Sequence, residues 1–177
     1  LEEIPTVDMV LLAGDLYDYP DCRKLGGTGD VTSVWNSFCK NVDDVVGVHG
    51  NHDTVREEEL ADNSLVLDGQ VRAVNGISIG GVSGIVGRKD RNQRKSETEY
   101  MRALTKTITA KVEFLLLHQG PDDPENNQIG DPLIREYLEK NGFCIVIFGH
   151  CHWSVPLIEI GGNQVLNVDN RLYVLSE

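Results

Sequence analysis

The chain has 177 residues, within the range of a single domain, and 40% apolar residues supply enough material for a core, which excludes a disordered chain. A net charge of -12 and a pI of about 4.8 argue against a surface that neutralises nucleic-acid phosphates, although bound divalent cations could still serve a phosphate substrate locally. No apolar run approaches the roughly 20 residues of a membrane helix. No secretory leader is visible, and the four cysteines show no CxxC spacing, which suits a reducing, cytoplasmic setting.

In chain order, residues 7–13 (VDMVLLA) are apolar apart from Asp8 and predict a strand buried on both faces. The strand ends at Gly14-Asp15-Leu16-Tyr17-Asp18. A carboxylate just past such a strand stands where α/β sheets place their chemistry, or else caps the next turn. Residues 19–30 are rich in Gly, Pro and Asp and predict an irregular loop. Residues 31–40 carry Val31, Val34, Trp35 and Phe38 at helical spacing.

A second buried strand, Val45-Val46-Gly47-Val48-His49, stops at Gly50-Asn51-His52-Asp53. Glycine permits a sharp turn there. Asn51 offers an oxygen to a hard cation, His52 titrates near neutrality, and Asp53 could hold that imidazole in one tautomer. A hydrogen-bonded turn is the bland alternative. Residues 54–63, with three consecutive glutamates, predict a solvated helix face or loop. Residues 65–67, 71–74 and 77–82 are short β-rich runs separated by Asp68-Gly69 and Asn75-Gly76. Asn-Gly between apolar runs is a hairpin signal.

Residues 83–95 form the one locally basic stretch, with Arg88, Lys89, Arg91, Arg94 and Lys95. It reads as an exposed loop or as a basic lip for an anionic substrate, with Arg88 and Arg91 the candidate contacts. Ser96-Glu97-Thr98-Glu99 matches a capping box, and Met101, Leu104 and Ile108 follow at helical spacing, predicting a helix over about 97–110. Residues 112–117 (VEFLLL) predict a strand ending at His118-Gln119-Gly120-Pro121. Asp131-Pro132 opens a helix that Gly142 stops. Residues 143–148 (FCIVIF) predict a strand ending at Gly149-His150-Cys151-His152. Residues 155–160, 164–168 and 172–175 predict closing strands with Gly161-Gly162 and Asp169-Asn170 as turns.

Asp15, Asn51, His118, His150 and His152 thus all stand at C-terminal ends of apolar strands, which in one sheet lie along one edge. One carboxylate, one amide oxygen and three imidazoles suit Mn, Fe, Zn or Co better than Ca or Mg. Cys151 lies between two histidines, and in an extended segment its side chain points away from theirs. Cys22 and Cys151 lack the cationic, helix-N-terminal setting of an activated thiol, so no covalent intermediate is expected.

GDLYD (14–18), GNHD (50–53), the histidine of LLLHQGP (115–121) and GHCH (149–152) occur in an order that resembles the calcineurin-like metallophosphoesterases. The resemblance implies a four-layer αββα sandwich of mixed β-sheets flanked by helices, with a two-metal site at the C-terminal strand ends. It implies that Asp15 bridges both metals, that Asn51, His118 and His150 complete one site, and that His152 belongs to the other. His52 would protonate the leaving oxygen, with Asp53 orienting it. The family normally opens with a strand carrying Asp-x-His, and none precedes Asp15 here. The expectation is therefore one domain over 1–177 lacking that strand, with two divalent ions in the family but only one held tightly in this chain. A phosphomonoester or phosphodiester is the implied substrate. A non-catalytic module of the same fold is the alternative. A DNA nuclease gains from His118-Gln119-Gly120 and loses more from the acidic composition.

Overall fold

The computed structural model describes residues 6–19 and 27–176. In chain order the elements begin with β1 (Met9–Leu12), β2 (Gly29–Asp30), α1 (Thr32–Cys39), β3 (Asp44–Gly47), β4 (Asp53–Thr54) and β5 (Ser64–Val66). They continue with β6 (Gln70–Val74), β7 (Ile77–Val82), β8 (Ile85–Val86), β9 (Arg94–Lys95), α2 (Glu97–Thr109) and β10 (Phe114–Gln119). The last are α3 (Pro132–Lys140), β11 (Ile145–Gly149), β12 (Leu157–Ile160) and β13 (Asn163–Asn167).

Two sheets carry the molecule. One is parallel, in the order β1-β3-β5; the other is mixed, in the order β12-β13-β11-β10-β7-β6, with four parallel central strands and an antiparallel strand at each edge. Period-2 alternation sorts each strand between two cores. In β10, Leu115 and Leu117 face α2 and α3, while Leu116 faces the other sheet beside Val46, Ile79 and Ile147. In β3, Val46 joins that middle core, while Val45 turns outward to Leu12, Val31 and Trp35 under α1. Three apolar layers therefore separate α1, the small sheet, the large sheet and the α2/α3 pair, which is the expected αββα sandwich. Burying one such aliphatic side chain stabilises the fold by about 1.5–3 kcal/mol, so strands apolar on both faces hold their ends firmly.

Local signals act where expected. Ser96 and Glu99 form the reciprocal capping box of α2. The Asp131 side chain accepts from the Leu133 and Ile134 amides with Pro132 in the first turn of α3. Asn75 (φ 52°) and Gly76 (φ 85°) make the tight β6–β7 hairpin, since both must adopt positive φ.

Asp68-Gly69 separates two strands as expected, but β5 lies in the small sheet and β6 in the large one, so this turn carries the chain between layers. One expectation needs correction. Residues 172–175 form no strand; Leu172, Val174 and Leu175 are exposed and hydrogen-bonded to no sheet edge among the described residues. β-propensity alone supplies no partner. The loop expected over 19–30 lies partly outside the described residues, as does Cys22.

Candidate metal centre

The C-terminal ends of β1, β3, β10 and β11 deliver the site. After β1 and β3 two turns press together: a Cβ on Gly14 would fall 2.4 Å from the Gly50 amide nitrogen, and one on Gly50 would fall 2.0 Å from that of Asp15. Only glycine fits either position. Asp53, 1% exposed, locks the pair, accepting from the Gly50 amide at 2.9 Å and from the Tyr17 amide at 3.0 Å. The His52 amide donates to Asp15 Oδ1 at 2.9 Å. Ser83 Oγ accepts from the His49 amide and donates to the Leu67 carbonyl, fastening the end of β7 to the same turn.

His118 is fully buried. Its Nδ1 lies 2.8 Å from the Ala13 carbonyl, which can only accept, so Nδ1 carries a proton and, without a second one, Nε2 presents a lone pair. That Nε2 sits 3.2 Å from Asp15 Oδ2 and 3.2 Å from Asn51 Oδ1. Three acceptor atoms thus face one another in a buried space, an arrangement that calls for a cation or an added proton. His150 joins them: its ring stands edge-on to His118 with centroids 5.0 Å apart, and one ligand atom from each of Asp15, His118 and His150 lies within 4.8 Å of the others. The residues present fit a divalent ion, in a mixed N/O set. Asp15 (φ 53°) and His150 (φ 68°) both hold left-handed backbone, which non-glycine residues adopt at a cost of about 1–3 kcal/mol.

The electrostatics match this crowding. Burial alone would raise the Asp15 pKa, but the hydrogen bond and charge that His118 supplies when Nε2 takes up the added proton, together with the His52 amide, outweigh it and hold the carboxyl below its ordinary value. Burial, followed by the His118 charge, pushes the His150 imidazole down to about 4. It is therefore neutral at pH 7, the state a ligand needs.

Other expected residues stand differently. His152 is 60% exposed on its side chain, with Nδ1 3.5 Å from Asp169 Oδ2, and the structure does not bring it into the cluster. Asp53 does not orient His52. Both of its oxygens are taken by backbone amides, while His52 Nδ1 meets the Gly27 carbonyl and Nε2 lies 4.0 Å from Asp15 Oδ2. Arg88 is paired with Asp90 through two nitrogens, Arg91 is exposed, and no contact among the described residues links either to the cluster. Cys151 is outside the cluster, and burial raises its thiol pKa. The Ala13 carbonyl and the Asp53 clamp have no separate sequence signal, since their partners are backbone groups.

Residues 1–154 match the family model of the calcineurin-like phosphoesterases. The chain belongs to that family. Calcineurin-like phosphoesterases generally hydrolyse phosphoesters with divalent metals, and the family includes non-catalytic members. The crystal structure of TT1561 of Thermus thermophilus is similar over 92% of this chain and 76% of its own, with 14% identity and a TM-score of 0.64. A second solved structure is 15% identical, with a TM-score of 0.56, over 78% of this chain and 64% of its own. At these identities the likeness shows the fold alone. No curated protein matches the chain. No helix among the described residues is long and apolar enough to cross a membrane.

Proposed function

We propose that this calcineurin-like phosphoesterase hydrolyses a phosphomonoester or phosphodiester. Asp15 would be shared by two divalent ions (Mn, Fe, Zn or Co). Asn51, His118 and His150 would complete one position, and His152 would serve the other. The observation that carries the reading is the convergence of His118 Nε2, Asp15 Oδ2 and Asn51 Oδ1 with Nδ1 of the same ring committed to Ala13. Bound ions would supply Lewis-acid polarisation of the phosphate and an activated water.

The chain's own residues do the rest. Ala13 and the Asp53 clamp fix the donors before substrate arrives, so no side-chain entropy is lost at that step. His52 is the general acid: its Nδ1 faces a carbonyl and holds one proton there, and the second proton of the imidazolium, on Nε2 at the cluster side, passes to the leaving oxygen. A non-catalytic scaffold is the second reading, favoured by the exposure of His152.

The test loads the protein with each metal, counts ions after dialysis, and assays activated and unactivated phosphate esters. His52→Ala should lower turnover of an unactivated ester by about 10²–10⁴ with metal content unchanged, and less for p-nitrophenyl esters, whose leaving group needs little protonation. Metal loss in that variant would make His52 a ligand. Metal-loaded protein without turnover on any ester would leave the scaffold reading.

A further inference from the structure

The basic stretch between β8 and α2 is bolted to the metal turn. Asn92 Nδ2 donates to the Asn51 carbonyl at 3.1 Å and to the Asp53 carbonyl at 2.8 Å. The Gly84 amide donates to the His49 carbonyl at 2.8 Å, just before β8, and β8 pairs with β9 through Ile85 and Arg94. Arg94 is therefore held two residues from an anchor on the turn that carries Asn51.

The five cations of this stretch differ in what they face. Lys95 pairs with Asp68 at 3.0 Å, Lys89 with Glu99 at 2.5 Å, and Arg88 with Asp90 at 2.7 Å. Arg91 is exposed. Arg94 is partly buried and has no carboxylate partner among the described residues. Its stem crosses Gly87, where a Cβ would lie 3.0 Å from Arg94 Cδ and 3.4 Å from Nη1, so glycine leaves that path open. A partly buried guanidinium two residues from an anchor on the metal turn, without a carboxylate partner among the described residues, is an anion receptor in waiting, and its planar fork matches two phosphate oxygens.

We propose that Arg94 receives the anionic oxygens of the substrate's phosphate group at the metal centre and is the cation of the basic stretch that sets substrate affinity. The proposal rests on the phosphoesterase reading. It replaces Arg88 and Arg91 in the binding role with a residue that the fold anchors.

Isothermal titration of inorganic phosphate into manganese-loaded protein tests it without turnover. Arg94→Gln should weaken phosphate binding by about 10-fold or more, Arg94→Lys should recover part of the loss, and metal content should stay at the wild-type level. Arg72→Gln, on β6 near the opposite sheet ends, should bind phosphate as wild type does. With ester substrates, Arg94→Gln should raise KM more than it lowers kcat. Wild-type phosphate affinity in Arg94→Gln, or no phosphate binding by the wild type, overturns the proposal. Should Arg94→Gln fail to fold, the Lys variant decides, because undiminished affinity together with an unchanged KM there would show that the fork is not used. Arg94-dependent phosphate binding without turnover would sink the phosphoesterase reading alone. Turnover with phosphate binding indifferent to residue 94 would sink this proposal alone.

Discussion

The two sides of the candidate centre are built to different standards. On one side His118 is buried, its far nitrogen is tied to Ala13, and Asp15 and Asn51 each approach Nε2 to 3.2 Å. On the other side His152 stands 60% exposed, and among the described residues Asp169, 3.5 Å from its ring, is its one ion-pair partner. The difference teaches that a ligand-type residue at a strand end is not by that alone a preorganised one. What makes one is a second contact that fixes its direction, and the buried side has such contacts while the exposed side does not.

The largest effect should come from destroying the contact between the two turns. Gly50→Ala sets a methyl 2.0 Å from the Asp15 nitrogen, so the β1 and β3 ends must part. Loss of about 3 kcal/mol or more of stability, together with metal binding, is expected in denaturant titrations with metal counting. Retention of both would mean that the turns have slack. Next, His118→Ala should cut affinity for the tighter ion by at least about 100-fold, whereas His152→Ala should leave that ion in place. Equal losses in competition titrations with a chelator would erase the distinction between the two sides.

A smaller effect follows from pH. His150 is held near 4 by burial and by the His118 charge, below its ordinary value of 6.5. A histidine with a depressed folded pKa is protonated more readily in the unfolded chain, so the unfolded state binds more protons between pH 6.5 and 4. The stability of metal-free protein should therefore fall as pH drops through that window, by about 2–3 kcal/mol after allowance for partial exposure. Asp15, lowered instead, loses its contribution only below its ordinary 3.8, so both groups act in the same direction on acidification. Stability measured by urea unfolding at pH 7, 5.5 and 4 checks this. His150→Gln should flatten the profile.

Much of this organisation is legible in the residues alone. Continuous apolar runs such as 114–117 declare strands buried on both faces, and the polar residue after each run marks the shared edge. Capping at Ser96 and Asp131 is local chemistry, and both caps form as their residue types predict. What stays hidden is non-local. Asp68-Gly69 looks like any other turn, and only the choice of sheet by β5 and β6 makes it a crossing. Asp53 sits beside His52 in sequence, yet its oxygens find the Gly50 and Tyr17 amides. Arg88 and Arg94 belong to one basic stretch, and Asp90 together with the Asn92 anchor separates them. Such pairings depend on backbone groups brought together by the fold, and residue type carries no record of them.

The bond from His118 to Ala13 spans 105 residues of chain and joins β10 to the end of β1. Parallel strands linked through helices form late and slowly, because large loops must close before their contacts reward the closure. The three acceptors therefore cannot meet in a partly folded intermediate, even one with α2, α3 and the large sheet in place. Metal capture by refolding protein should lag behind the recovery of helical signal, so that a bound ion reports the final docking of the small sheet onto the large one.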